Sequence, residues 1–378
     1  MNNRIRIPIC EPTLSGSELD YLANCIKSNW LSSRGFYVDE FERKFSEFCG
    51  SKYGVATSSG TTALHLALVA LGIGRNDEVI MPTLTMIASA NPIIFTGAKP
   101  VFVDSEIDTW NIDVNAIEEE ITSKTKAIMP VHIYGHPVDM DPLLRIAKKY
   151  NLFVIEDAAE AHGAEYKNTR AGSLGDVGCF SFYTNKIITT GEGGMVVTND
   201  EKVRDKLVLF RDLAHSREQR YLHYEIGYNY RLTNLQAGVG LAQMKKIDEY
   251  IRARREHAKI YNSLLKDVWG ITLPPEAEWA RNIYWLYSIL IQEDFGLKRD
   301  DLAVELGKKG IETRPFFIPM HRQPVLKKMG LVSGEFLVAD ELFSKGICLP
   351  SSSSISEEQI AFVCDTIKEI QNQAQVSG

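Results

Sequence analysis

Apolar positions follow two rhythms along this chain. Short, nearly unbroken apolar runs occur at 53–57, 78–82, 100–104, 127–131, 152–157 and 179–183. Between them, apolar residues recur every three or four positions. The first pattern predicts strands buried on both faces, the second amphipathic helices. Helices are expected over 15–28, with Ser15 or Ser17 as cap and Leu19, Leu22, Ala23 and Ile26 on one face, over 38–49, and from 60 onward, where Leu64, Ala67, Leu68 and Leu71 align. Two more are expected over 85–96, which Pro92 should kink or shorten, and 141–150. Alternation of this kind implies a largely parallel α/β sheet, with ligands at the carboxyl ends of its strands.

Past residue 200 the pattern turns helical. We expect a helix over 201–210, a polar loop over 211–224 and one long helix over 235–265. The first half of that helix is rich in small residues (Ala237, Gly238, Gly240, Ala242) and suits tight packing; the charged stretch 252–259 should be solvated. Strands 285–292 and 347–349 with helices 299–309 and 356–371 read as a smaller α+β domain, so the chain divides into 1–248 and 249–378, with a tail after 371 that should fray.

Composition narrows the class. A chain of 378 residues with 44% hydrophobic and 24% charged residues can bury a large core. A net charge of −7 and a pI near 5.7 argue against nucleic acid as the main partner. No apolar run reaches the roughly 20 residues that span a bilayer, and the first residues lack the apolar core of a signal peptide. Six scattered cysteines without a CxxC pair fit reduced thiols in a cytoplasmic protein.

The chemistry gathers around 179–200, CFSFYTNKIITTGEGGMVVTND. Lys186 follows a buried strand and precedes a glycine turn, 191–194, that would leave room around it. Either the lysine is solvated, like most lysines, or it is desolvated and its amine is a nucleophile towards carbonyls. The Ser58–Ser59–Gly60–Thr61 turn opens a helix, where free N–H groups and the dipole favour phosphate; a plain N-cap explains it equally well. It is neither a Walker loop nor GxGxxG. Asp157 ends one strand and Ser181 another. Phosphate cradle, carboxylate, hydroxyl and amine on one sheet form the inventory of a pyridoxal phosphate site. There the amine forms a Schiff base and the acid keeps the pyridine nitrogen protonated.

The segments SSGTTALHLAL, VIEDAAEAHGA, SFYTNKIITTGEGGMVVTND and GYNYRLTNLQAGVGLAQ strongly resemble the DegT/DnrJ/EryC1/StrS nucleotide-sugar aminotransferases over nearly the whole chain. The resemblance implies a fold-type-I, pyridoxal-phosphate-dependent aminotransferase with a large domain built on a mostly parallel, seven-stranded sheet. It also implies a homodimer with shared active sites and L-glutamate as amino donor. PTLTMIASAN, PVFVDSEIDTWNID and VHIYGHPVDM are most similar to members that aminate C4 of GDP-4-keto-6-deoxy-mannose for surface polysaccharide (O-antigen) synthesis; a UDP- or dTDP-linked keto sugar is the alternative. By the same resemblance, Lys186 binds the cofactor covalently and moves the proton, Asp157 pairs with the ring nitrogen, and Gly60, Thr61 and Ser181 hold the phosphate. Asn229 serves the phosphate of the partner subunit's site, and Glu160 approaches the cofactor hydroxyl. Met86 stands where the family usually stacks an aromatic on the ring; its thioether offers a sulfur–ring contact instead. Trp30, Ser32, Ser33, Arg231, Arg314 and His321 are the candidates for the sugar nucleotide.

Three competing readings are weaker. Relatives that dehydrate at C3 replace the lysine with histidine, and a non-catalytic sensor of sugar or cofactor would be expected to lose Lys186 or Asp157; both residues are present. His132 and His136 have zinc-like spacing, but they span a strand end and a Gly-His-Pro turn that should point them apart, so no metal is expected.

Overall fold

The computed structural model describes residues 7–14, 16–216, 218–219 and 221–377. Seven strands form the central sheet, in the order Tyr53–Thr57, Gly194–Thr198, Val177–Ser181, Phe153–Asp157, Thr125–Ile128, Glu78–Pro82, Lys99–Val103. Gly194–Thr198 runs antiparallel to both neighbours, and the other six strands share one direction. Their side chains are almost all buried, which explains why the strands read as continuous apolar runs rather than alternating ones.

Helices come where the periodicity placed them, with shifted ends. The first is Ser17–Ser28, begun by Gly16 in a left-handed conformation; Ser15 lies outside the described residues. Phe36–Cys49 starts two residues before the expected position and ends on Gly50 at φ 78°. The Pro92 helix is shortened to Ile87–Phe95. The C-terminal helix Glu357–Ser377 continues beyond 371, where fraying was expected.

The expected single helix 235–265 is two: Asn234–Met244, capped by a reciprocal Thr233–Gln236 box, and Ile247–Leu265. The break at Lys245–Lys246 carries neither glycine nor proline, so nothing in the local sequence marks it. Its cause is tertiary. Gly240 of the first helix packs so closely on Phe41 that a Cβ there would come within 2.7 Å of the ring. The second helix instead joins two cores. Ile247, Tyr250 and Ile251 belong to the core of the main sheet, whereas Ala258, Tyr261 and Leu265 belong to a second core around Tyr287, Ile289, Leu302 and Ile360. That second core covers an antiparallel sheet ordered Ile271–Thr272, Tyr287–Ile291, Gly346–Leu349, Arg314–Pro315. Arg254 is buried between the cores, against the expectation that 252–259 is solvated; its neighbours Arg252 and Glu256 are exposed. No helix among the described residues is long and apolar enough to cross a membrane.

Candidate active site

Three elements of the main sheet converge. Gly60–Ala70 begins with a capping box in which the Ser59 hydroxyl accepts from the Thr62 N–H (3.1 Å) and the Thr62 hydroxyl from the Ser59 N–H (2.9 Å). The box satisfies Thr62, leaving the N–H groups of Gly60 and Thr61 at the start of the helix to face a ligand. Gly60 lies against the end of Val177–Ser181 so closely that a Cβ would stand 2.7 Å from the Cβ of Ser181. Cradle and Ser181 hydroxyl are therefore one surface. Gly194 lets the reversed strand pass beneath: a Cβ there would meet the Ser59 carbonyl at 2.3 Å. The glycine turn was expected to leave room around Lys186. Instead Gly193 and Gly194 abut Thr190 and Ser59, and the turn supports the cradle.

Asp157 ends the neighbouring strand and is buried. Its Oδ2 accepts from the Ser89 hydroxyl (2.7 Å), which contacts the Thr85 hydroxyl (2.9 Å), and its Oδ1 accepts from the Ala159 N–H (3.2 Å). Burial raises the carboxyl above its ordinary range, opposed by the Ser89 bond and the Lys186 charge. Met86 precedes the helix that carries Ser89; it is 51% exposed, a large apolar side chain at the rim of the site.

The Lys186 side chain is only 9% exposed, so of its two sequence readings the desolvated one holds. Its Nζ lies 3.9 Å from Glu160 Oε1 and 3.6 Å from the ring centroid of Trp285. Burial pushes the amine down and the Glu160 carboxyl up, each partly countered by the charge of the other. Glu160 Oε2 also accepts from the Tyr134 N–H (2.8 Å), holding a buried aromatic residue at φ 51°, a conformation such residues rarely adopt. Tyr134 lies inside VHIYGHPVDM and Trp285 in no motif, and neither was singled out as a site residue in the sequence. An aromatic residue in an apolar run looks like core, and only the fold brings Trp285 beside Lys186 and Tyr134 beside Glu160.

The remaining candidates fall into two groups. The Asn234 side chain donates to the Trp30 carbonyl (2.7 Å) and its N–H to the Ser32 carbonyl (3.0 Å), tying the 30–33 loop to the helix after GYNYR. Ser33 lines a cleft of about 280 Å³ with Arg34, Arg211 and Arg231, the last ion-paired to Asp212. Asn229 is exposed and paired through its backbone with Asp212. In the second group, Arg314 is exposed on a strand end, and the chain beyond it leans on Tyr134, whose hydroxyl accepts from the Phe317 N–H (3.0 Å). His321 is buried with both ring nitrogens bonded to protein, Nδ1 to the Thr83 hydroxyl (2.8 Å) and Nε2 to Asp340 (2.7 Å), so it anchors this loop.

His132 and His136 are likewise occupied. His132 bonds Glu156 and the Val138 N–H, and His136 the Pro137 carbonyl and the Ala277 N–H. No group of three metal-ligating side chains is found among the described residues.

A helix N-terminus open to an anion, a buried carboxylate and a desolvated amine meet on a mostly parallel sheet. The chain belongs to the DegT/DnrJ/EryC1/StrS aminotransferase family, whose model matches residues 12–368. It is similar to the GDP-perosamine synthase of Escherichia coli O157:H7, 46% identical over 96% of this chain and 98% of that one. It is also similar to the GDP-perosamine synthase of Caulobacter vibrioides, 44% identical over 98% and 100%. Among solved structures, S. venezuelae DesV in complex with a ketimine intermediate superposes with a TM-score of 0.91 at 34% identity, covering 97% of this chain and 98% of that one.

Proposed function

We propose that the protein binds pyridoxal phosphate and transfers an amino group from L-glutamate to C4 of GDP-4-keto-6-deoxy-mannose, giving GDP-perosamine for surface polysaccharide. The observation that carries this is a largely desolvated amine, Lys186, beside a cradle and an acid, in a chain over 40% identical to perosamine synthases along nearly its full length.

The residues present fit the cofactor. Gly60 is hemmed in by Ser181, so a phosphate can approach the backbone where any larger residue would collide. Asp157 receives one donor on each oxygen and keeps lone pairs for a protonated ring nitrogen. Pyridoxal phosphate supplies an aldehyde that captures amines and a ring that takes up electrons. In this reading Lys186 Nζ anchors the cofactor and, once released by the donor, carries the proton to and from the substrate carbon. Glu160 faces that amine and holds its charge in check, and burial excludes water from the exchange. Ser33, Arg34 and Arg231 offer donors to the nucleotide diphosphate.

A homodimer with shared sites is supported by what stays exposed on one copy: Tyr221 (72%), Tyr224 (70%) and Ile226 (85%) run into the GYNYR segment that carries Asn229.

A half-reaction tests the substrate. The protein is loaded with pyridoxamine phosphate and offered GDP-, UDP- and dTDP-linked 4-keto-6-deoxy sugars in turn, with absorbance followed. GDP-4-keto-6-deoxy-mannose is expected to convert the cofactor at least tenfold faster than the others. Conversion only by a UDP or dTDP sugar would overturn the assignment.

A further inference from the structure

Trp285 was expected to open a strand over 285–292, but the strand begins at Tyr287 and Trp285 lies in the turn before it, buried against the active-site lysine. Its ring makes two contacts with the segment around Lys186. The indole face lies 3.6 Å from Lys186 Nζ, and its edge Nε1–H donates to the carbonyl of Asn185, the preceding residue, at 2.8 Å. One rigid side chain therefore fixes both the amine and the peptide that leads into it.

The backbone of Trp285 is itself braced. Its main-chain N–H donates to the Tyr134 carbonyl (3.0 Å), and its main-chain carbonyl accepts from the Arg254 guanidinium. Arg254 also donates through Nε to the Ser353 hydroxyl (3.0 Å) and contacts Cys10 Sγ (3.3 Å), which donates to the same Asn185 carbonyl (3.2 Å). Arg254 is 3% exposed, and no carboxylate pairs with it among the described residues. A buried guanidinium without a counter-charge is costly. Its bonds all run to groups that hold Trp285 and Asn185 in place, or to the wall behind them.

The charged and titratable groups facing Lys186 come from several elements. Glu160 and Asp157 favour the ammonium form; Arg254 disfavours it, as does burial; Cys10 approaches from the N-terminal segment, and His162 is buried and neutral. An aromatic face favours a cation, most strongly where water is excluded. We propose that Trp285 is a positioning residue for Lys186: its face seats the ammonium, its N–H fixes the adjoining peptide, and together they govern when the amine is available as a nucleophile. This rests on Lys186 being the reactive amine of the proposed function.

The test measures cofactor uptake rather than turnover. Full-length protein stripped of cofactor is mixed with pyridoxal phosphate across a range of pH, and the absorbance change gives a rate profile whose midpoint reports the Lys186 amine. Trp285→Leu is expected to move the midpoint down by about 0.5 to 1.5 pH units, and Trp285→Phe to restore most of that shift. Should Trp285→Leu fail to fold, all five tryptophans are replaced by mono-, di- and trifluorinated analogues, which weaken the ring face at nearly constant shape. The midpoint should then fall stepwise with fluorine count. An unchanged midpoint in Trp285→Leu or across the fluorinated series overturns the proposal. Undiminished uptake by Lys186→Ala would overturn the assignment of Lys186 itself, a result distinct from a failed Trp285 effect.

Discussion

Asp157 illustrates how one residue joins strand, helix and chemistry. Its carboxylate takes a hydroxyl bond from Ser89, which in turn is fixed by Thr85, so the acid is held in one orientation before any ligand arrives. Burial raises its proton affinity, and a cationic ring nitrogen would reverse that. Asp157→Asn removes the counter-charge at nearly constant shape. We expect kcat to fall about 10²- to 10⁴-fold, with thermal stability little changed; unaltered steady-state kinetics would refute the role. Lys186, Asp157, Gly60 and Ser181 were legible in the sequence because each stands at a strand or helix end flanked by turn chemistry. Trp285, Tyr134 and Arg254 were not. They approach Lys186 from segments roughly 50 to 100 residues away in sequence, and no local pattern separates them from core or surface residues.

At the scale of elements, the proposed phosphate cradle depends on close contact between one helix start and one strand end. Gly60→Ala would press a methyl group against the Ser181 Cβ at 2.7 Å. Overpacking of this kind costs about 1–3 kcal/mol, directed here at the surface proposed to receive phosphate. Pyridoxal phosphate should bind about 5- to 100-fold more weakly, as measured by fluorescence titration, while the cofactor-free protein keeps its circular dichroism spectrum. Equal affinity would mean that phosphate binds elsewhere. Element types were readable because strands buried on both faces and amphipathic helices leave distinct rhythms. The break at Lys245–Lys246 was not, because it answers to the placement of the two cores rather than to breaker residues. Arg254 was misread for the same reason: in a run of charges, only the tertiary structure reveals which one turns inward.

The molecule as a whole carries buried histidines that shape its response to acid. His162 sits among Phe45, Phe180 and Phe182, and burial, aided by the Lys186 charge and opposed by the Ser181 backbone, lowers it to about 3. A depressed histidine contributes stability that is fully present above its unfolded value near 6.5 and is lost as pH falls towards the folded value. Between pH 7 and pH 5 this one residue should cost the fold about 2 kcal/mol. His162→Leu, which suits the aromatic cage, should therefore lose about 2 kcal/mol less than the parent over that interval in urea denaturation. Equal losses would show that His162 is not depressed.

The segment from Ile7 to Glu11 has a kinetic consequence. The Ile7 N–H bonds Gly310 and its carbonyl accepts from Glu312, the Ile9 carbonyl accepts from Ser351, the Glu11 N–H meets Ser352, and Cys10 reaches Asn185. These residues leave the ribosome before their partners, one of which lies 341 residues further along. The segment must wait until those partners have been synthesised. Closing so wide a loop adds little to the equilibrium cost, because loop entropy grows only logarithmically, but it slows the search. The 7–11 segment is thus placed late, and the wall behind Lys186 is completed only after Ser352 has been made.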